Sequence, residues 1–164
     1  MLILSPAQST FCTKYPNQTE GTFGWHQDVH YWDLNPAVSH ATWIALDPVK
    51  AESGCVQFVP TPPSTEIHHE HVYDFDADNL LLSKKAIRPE TINVSAKICV
   101  ELKPGEMTIH DGWTVHGSAP NRSGRRRAGL AINWMPASAD LEPSREGYGD
   151  LADGALIEEF RMPV

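Results

Sequence analysis

Apolar and polar residues alternate along this chain in short bursts, and most bursts end at Pro, Gly, Asn or Asp. Residues 1–16 read as an extended segment, with Phe11, Cys12 and Thr13 favouring strand. Trp25 to Trp32 alternates as a strand and is broken at Asn35-Pro36. His40 to Leu46 ends at Asp47-Pro48; Cys55 to Val59 follows a turn at 51–54 and ends at Pro60. Ser95 to Leu102 sets Ala96, Ile98 and Val100 against Lys97 and Glu101, as a half-buried strand does. Met107 to His110 and Trp113 to His116 flank a turn at Asp111-Gly112. Arg126 to Met135 returns after a tight connection at 119–124. About eight short strands with turn signals every 8–12 residues or so predict an all-β sandwich or barrel, the double-sheet jelly roll among them.

Two stretches depart from that rhythm. Residues 60–95 are polar, contain Pro and lack a period, with a short helix predicted over 78–86. Loops of that length inside a compact domain are often lids or binding loops. The tail 137–164 is polar and irregular, with one helix predicted over 151–160. The expected organisation is one domain, 1–164, with core strands over 8–136, the long loop 60–95 and the tail.

Composition narrows the function classes. The 164 residues include 13 Pro and 11 Gly, which favours strands and turns over long helices. A net charge of −8 argues against nucleic acid as a partner. No apolar run approaches the ~20 residues of a membrane span, and Met1-Leu2-Ile3-Leu4 has no basic segment before it; a cytoplasmic, non-membrane protein is expected. Cys12, Cys55 and Cys99 lack CxxC spacing, which fits buried free thiols in a reducing compartment.

Candidate chemistry centres on His26 and Asp28. In an extended strand, side chains at i and i+2 share a face, about 6–7 Å apart. With the distant His116 they would complete two histidines and one carboxylate, the ligand set of non-haem Fe(II) oxygenases, with open positions left over. Alone, the pair is common, and a core histidine beside a strand-edge aspartate is the plainer account. Arg127 adds weight: it lies 11 residues past His116, across a reversal that returns it to the same level. A buried guanidinium there would hold the distal carboxylate of a metal-chelating keto acid. The rival account is a solvated basic turn over Arg125, Arg126 and Arg127; Arg126 at least should face away from its neighbours. His68-His69-Glu70-His71 looks metal-like, yet its spacing does not put three ligands on one face, and a solvated or substrate-facing loop is the better account. His30 and Tyr31 line the substrate entrance or pack ordinarily. His110 and Asp111 lack the spacing to partner Asp28, and Trp113 and Trp134 are expected in the core.

Four motifs in order resemble the phytanoyl-CoA dioxygenase family: HQDxxYW (26–32), TWIALD (42–47), GCVQFVP (54–60) and HGSxxNxSxxRR (116–127). The resemblance covers residues 8–136. It implies a double-stranded β-helix and an enzyme using Fe(II) and 2-oxoglutarate. A small organic metabolite and O2 would be its other reactants, and succinate and CO2 would be released as the metabolite is hydroxylated. It further implies iron held by His26, Asp28 and His116, and Arg127 on the 2-oxoglutarate carboxylate. Ser118, Asn121 and Trp43 match positions near that cosubstrate, and Gln8 and Lys14 match a segment upstream of the HxD pair. A related halogenating subgroup has Ala or Gly where this chain has Asp28, so hydroxylation is expected over halogenation. Members carry a much longer segment before the HxD pair than the 25 residues found here. That leaves a fragment, or a minimal form stabilised by a partner chain such as a homo-oligomer. The competing functions are a non-catalytic jelly-roll binding domain and, less favoured for want of a general base, a zinc hydrolase.

Overall fold

The computed structural model describes residues 4–32, 34–35, 37–62, 65–74, 79–81, 84–138 and 140–141. Two four-stranded antiparallel sheets face each other as a jelly roll. The first runs β1 (Leu4–Lys14), β11 (Arg127–Pro136), β4 (His40–Ala45), β9 (Met107–Asp111). The second runs β2 (Phe23–His26), β10 (His116–Ser118), β5 (Val56–Phe58), β8 (Ile98–Cys99). Two shorter pairings, β3 (Leu34–Asn35) with β12 (Asp140–Leu141) and β6 (His71–Tyr73) with β7 (Lys85–Ile87), complete the frame together with isolated bridges at Val49–Leu102 and Thr22–Asn79.

The alternation that predicted strands also decides which residues look inward. In β4, Ala41, Trp43 and Ala45 are buried; each pairs in register with Asn133, Ala131 and Gly129 of β11. Small residues on β11 make room for the Trp43 ring: a Cβ added at Gly129 would lie 2.0 Å from its Cζ2. Trp43 packs with Ala45, Val49, Cys55 and Val56, and a second cluster joins Val59, Ile87 and Val115.

The structure corrects several expected elements. The strand expected over 25–32 stops at His26, and Asp28–Tyr31 is a 3₁₀ turn. Gln27 keeps extended angles (φ −121°, ψ 131°), after which the Val29 N–H binds the Gly112 carbonyl and the His30 N–H binds that of Gln27. No strand covers 113–115, because the Asp111 carboxylate accepts the N–H groups of Trp113 (3.1 Å) and Thr114 (2.8 Å) in a local turn. Ser95–Leu102 yields only the edge strand β8, preceded by a 3₁₀ turn at Val94–Ala96, and Ile98 and Cys99 are exposed. Its alternation marks a rim rather than a half-buried face. Within 78–86, Lys85 and Ala86 belong to β7 rather than to a helix, and 78 and 82–83 lie outside the described residues. The helix expected over 151–160 also lies outside them. Of the three thiols only Cys55 is buried; Cys12 is half-buried and Cys99 exposed.

Candidate active site

Between the sheets lies a cavity of about 430 Å3 whose wall carries His26, Asp28, His116, Trp43, Ser118 and Arg127. At one end β2, the turn after it and β10 converge. His26 and His116 are direct cross-strand partners, with ring centroids 4.1 Å apart. Asp28 reaches both because the chain turns immediately after Gln27: its Oδ1 lies 3.7 Å from Nε2 of each histidine. The ligating atoms of His26, Asp28 and His116 all lie within 4.8 Å of one another, the one group of its kind among the described residues.

Backbone carbonyls set the tautomers. His26 Nδ1 lies 2.7 Å from the Gly24 carbonyl and His116 Nδ1 lies 3.0 Å from that of Thr114. Each Nδ1 therefore carries the proton and each Nε2 turns a lone pair toward Asp28, the arrangement that orients a metal-binding imidazole. Burial holds both imidazoles below the usual histidine range, offset only in part by the Asp28 charge. Burial pushes the Asp28 carboxyl up, but the neighbouring His116, His110 and His26 rings outweigh it, and the group stays ionised. Two neutral imidazoles and one carboxylate anion suit a divalent cation of first-row transition type.

The other end of the cavity is built on Gly54. Its φ of +74° is a left-handed conformation open to glycine, and a Cβ there would meet the Ala119 carbonyl at 2.2 Å. The Gly54 carbonyl accepts from Arg127 Nε (3.0 Å), Arg127 Nη2 (2.5 Å) and Ser118 Oγ (2.9 Å). Arg127 is 1% exposed, stacks on Trp43 at 4.8 Å and gives Ser118 Oγ a further bond of 2.9 Å. Its Nη1 is buried with no partner. Burial lowers its pKa to about 10, so it is still a cation at neutral pH. A buried cation with a free N–H is a receptor for an anion, and an orphaned donor of this kind fits one carboxylate arm of a dicarboxylic acid.

A family model described as phytanoyl-CoA dioxygenase (PhyH) matches residues 3–129. The chain belongs to the phytanoyl-CoA dioxygenase family. A phytanoyl-CoA dioxygenase domain-containing protein 1 homolog of Dictyostelium discoideum is 26% identical over 110 residues, which are 67% of this chain and 39% of the relative. That of Caenorhabditis elegans is 27% identical over 132 residues, 78% of this chain and 45% of the relative. The chain thus spans less than half the length of these curated relatives. Among solved structures, the non-heme monooxygenase ThoJ superposes with a TM-score of 0.67 at 18% identity, covering 84% of this chain and 48% of that one. The epimerase SnoN, in complex with Fe3+, alpha ketoglutarate and nogalamycin RO, superposes with a TM-score of 0.65 at 22% identity, covering 93% and 59%. These likenesses establish the jelly-roll fold.

Within this family member the residues singled out by sequence divide into two groups. His26, Asp28, His116, Arg127, Ser118, Trp43 and Gln8 share the cavity wall. Lys14 and Asn121 stand behind it. Lys14, 1% exposed, spends its Nζ donors on Ser118 Oγ (2.7 Å), the Ser118 carbonyl (3.1 Å) and the Ala119 carbonyl (2.5 Å). Burial and the Arg127 charge lower its pKa to about 7. Asn121 Nδ2 ties the carbonyls of Lys14 and Arg125, and its Oδ1 accepts from Ser123. Arg126 faces solvent, paired with Asp47 at 2.9 Å, as the alternation required.

Two residues escaped the sequence. His110, set aside on its spacing, points inward from β9 and places Nε2 3.5 Å from Asp28 Oδ2. The signal was the alternation of β9 itself, which puts Thr108 and His110 on the inner face. Gln27, between the two HxD residues, is 2% exposed. Its Nε2 donates to the carbonyls of Ile67 (2.7 Å) and Trp113 (2.6 Å), and its Oε1 accepts the His69 N–H (3.0 Å). Nothing in its own spacing announced that role.

Proposed function

We propose that this chain is the catalytic core of an Fe(II)- and 2-oxoglutarate-dependent oxygenase that hydroxylates a small organic molecule. The supporting observation is the pairing, on one cavity wall, of the His26–Asp28–His116 group with the orphaned Nη1 of buried Arg127. The donor set fits Fe(II), and the guanidinium fits the far carboxylate of the keto acid. Iron and the keto acid together supply the activation of O2.

The protein's own part is binding, orientation and exclusion of water. Gly24 and Thr114 carbonyls hold the Nε2 lone pairs of His26 and His116 toward the metal position. Ser118 and the Gly54 carbonyl fix the Arg127 fork so that the two N–H groups of Nη1 remain to grip a carboxylate. The Trp43 ring, 4.8 Å from that guanidinium, gives the cosubstrate arm an apolar slot with Val56 and Ala131. Lys14 and Asn121 brace the β10 end from behind. Asp28 supplies an oxygen ligand where a halogenase needs room for halide, which favours hydroxylation.

Mn(II), as a redox-inert substitute, should bind the metal-free protein with one site and then support 2-oxoglutarate binding; with Fe(II) and O2, succinate should form. Arg127→Ala should lose the keto acid and keep the metal. Metal and keto acid bound without succinate would favour a non-catalytic binding domain. Activity with zinc in the strict absence of O2 would favour a hydrolase.

A further inference from the structure

We propose that His110 is a positioning residue for Asp28: its Nε2–H donates to Asp28 Oδ2 and so reserves Oδ1 for the metal. The inference rests on the functional reading above but concerns a residue outside the ligand group. His110 comes from β9, on the sheet opposite the one that carries His26 and His116. It reaches across the cavity to the carboxylate face that the two ligand histidines leave free. Its Nε2 lies 3.5 Å from Oδ2, whereas His26 and His116 both approach Oδ1.

The environment leaves the ring little else to do. The side chain is 8% exposed, and neither ring nitrogen has a hydrogen-bond partner. The ring stands edge-on to Phe58 (centroids 5.0 Å apart) and to His116 (4.4 Å), contacts that fix its plane. A buried N–H needs an acceptor, and Asp28 Oδ2 is the one within reach. The gap of 3.5 Å is longer than a well-formed bond, and a small torsional adjustment of either side chain closes it. Both Asp28 oxygens would otherwise be open to the same cation. A donor on Oδ2 would leave the carboxylate one oxygen for the metal and keep a neighbouring position for the keto acid.

Two measurements test this. In the metal-free protein, nitrogen NMR of labelled histidine should show His110 as the Nε2–H tautomer. Finding the Nδ1–H tautomer would overturn the proposal, whatever the metal does. Then Mn(II) is titrated calorimetrically into wild type, His110→Phe and His110→Gln. Phe keeps the ring volume without a donor, and a Gln amide can place its N–H near the same spot. His110→Phe should weaken Mn(II) about 10–100-fold with the one-site stoichiometry and the apo melting temperature retained, and His110→Gln should recover most of the loss. Equal affinities in wild type and His110→Phe would overturn the positioning role while leaving the iron site standing. Failure of the Gln variant to recover, with a lowered melting temperature in both variants, would assign His110 to packing alone. Absence of Mn(II) binding in wild type would instead remove the oxygenase reading itself, a different outcome from either.

Discussion

Two regions of this protein are rich in histidine, and they differ in what happens to the ring nitrogens. In the cavity, His26 and His116 each spend Nδ1 on a backbone carbonyl and keep Nε2 free beside a carboxylate. In the loop 65–73, His71 spends both: Nδ1 faces the His69 carbonyl at 2.9 Å and Nε2 accepts the Gln27 N–H at 3.1 Å. Its ring lies flat on His30, with centroids 3.9 Å apart and an interplanar angle of 2°. His68 packs edge-on against Trp113 at 4.4 Å. Four closely spaced histidines and acids therefore make a docked loop, whereas two histidines ninety positions apart join Asp28 in a group that could hold a metal. A free lone pair aimed at an ionised oxygen distinguishes them; the number of histidines does not.

That contrast breaks first at Asp28. Asp28→Ala should abolish stoichiometric Mn(II) binding in calorimetry, an effect of 100-fold or more in affinity, because it removes the one anionic ligand. His71→Ala should leave Mn(II) affinity within about threefold. Comparable losses from both would erase the distinction.

Next in size is the far end of the cavity. Arg127→Ala should weaken 2-oxoglutarate about 100-fold with metal affinity retained, on the scale of about 1.5–3 kcal/mol for a hydrogen bond to a charged group. Arg127→Lys should recover little, since a point ammonium cannot reproduce the fork held by Gly54 and Ser118. Gly129→Ala would press a methyl into the Trp43 ring and should also weaken the keto acid while sparing the metal.

Gln27 joins the two histidine regions, and Gln27→Ala should separate them. The variant leaves two half-buried carbonyls and the His69 N–H without partners, a cost of about 1–2 kcal/mol in unfolding free energy. Hydrogen exchange at 67–71 should quicken, with the cavity histidines less affected.

The smallest expected effect is pH dependence from His71. Burial and the neighbouring His30 lower its pKa to about 3, against 6.5 when unfolded. Between those values the unfolded chain binds a proton that the folded chain does not. Its contribution is therefore present above pH 6.5 and lost as pH falls toward 3. His26 and His116, also lowered, act in the same direction. A urea series from pH 7 to pH 5 should show falling stability, and His71→Phe should flatten the slope.

Much of this was legible in the chain. The strands β1, β4, β5, β9 and β11 fall where β-favouring runs were expected, and of these β9 keeps a strict alternation of half-buried and exposed residues. The order of the four motifs carried the residue types of the His26–Asp28–His116 group and of Arg127, but the expected return of Arg127 to the level of His116 does not occur: β10 and β11 lie in different sheets, and the arginine sits at the other end of the cavity. What pattern could not convey was which atoms are left free. Lys14 and Asn121 look like ligand-binding residues in sequence, and only the packing shows their polar atoms already engaged. His110 looks idle in sequence, and only the opposition of two sheets brings it to Asp28.

The sequence by itself determined the strand periodicity and the donor types, since both reside in side-chain chemistry and a repeat of two. The tertiary structure decided the 3₁₀ turn that swings Asp28 beside His26 and the left-handed Gly54 that anchors Arg127. It also left Nη1 of that arginine and both nitrogens of His110 without partners. Hydrogen-bond satisfaction is a property of the whole buried environment, assembled from segments far apart in the chain, and no local pattern encodes it.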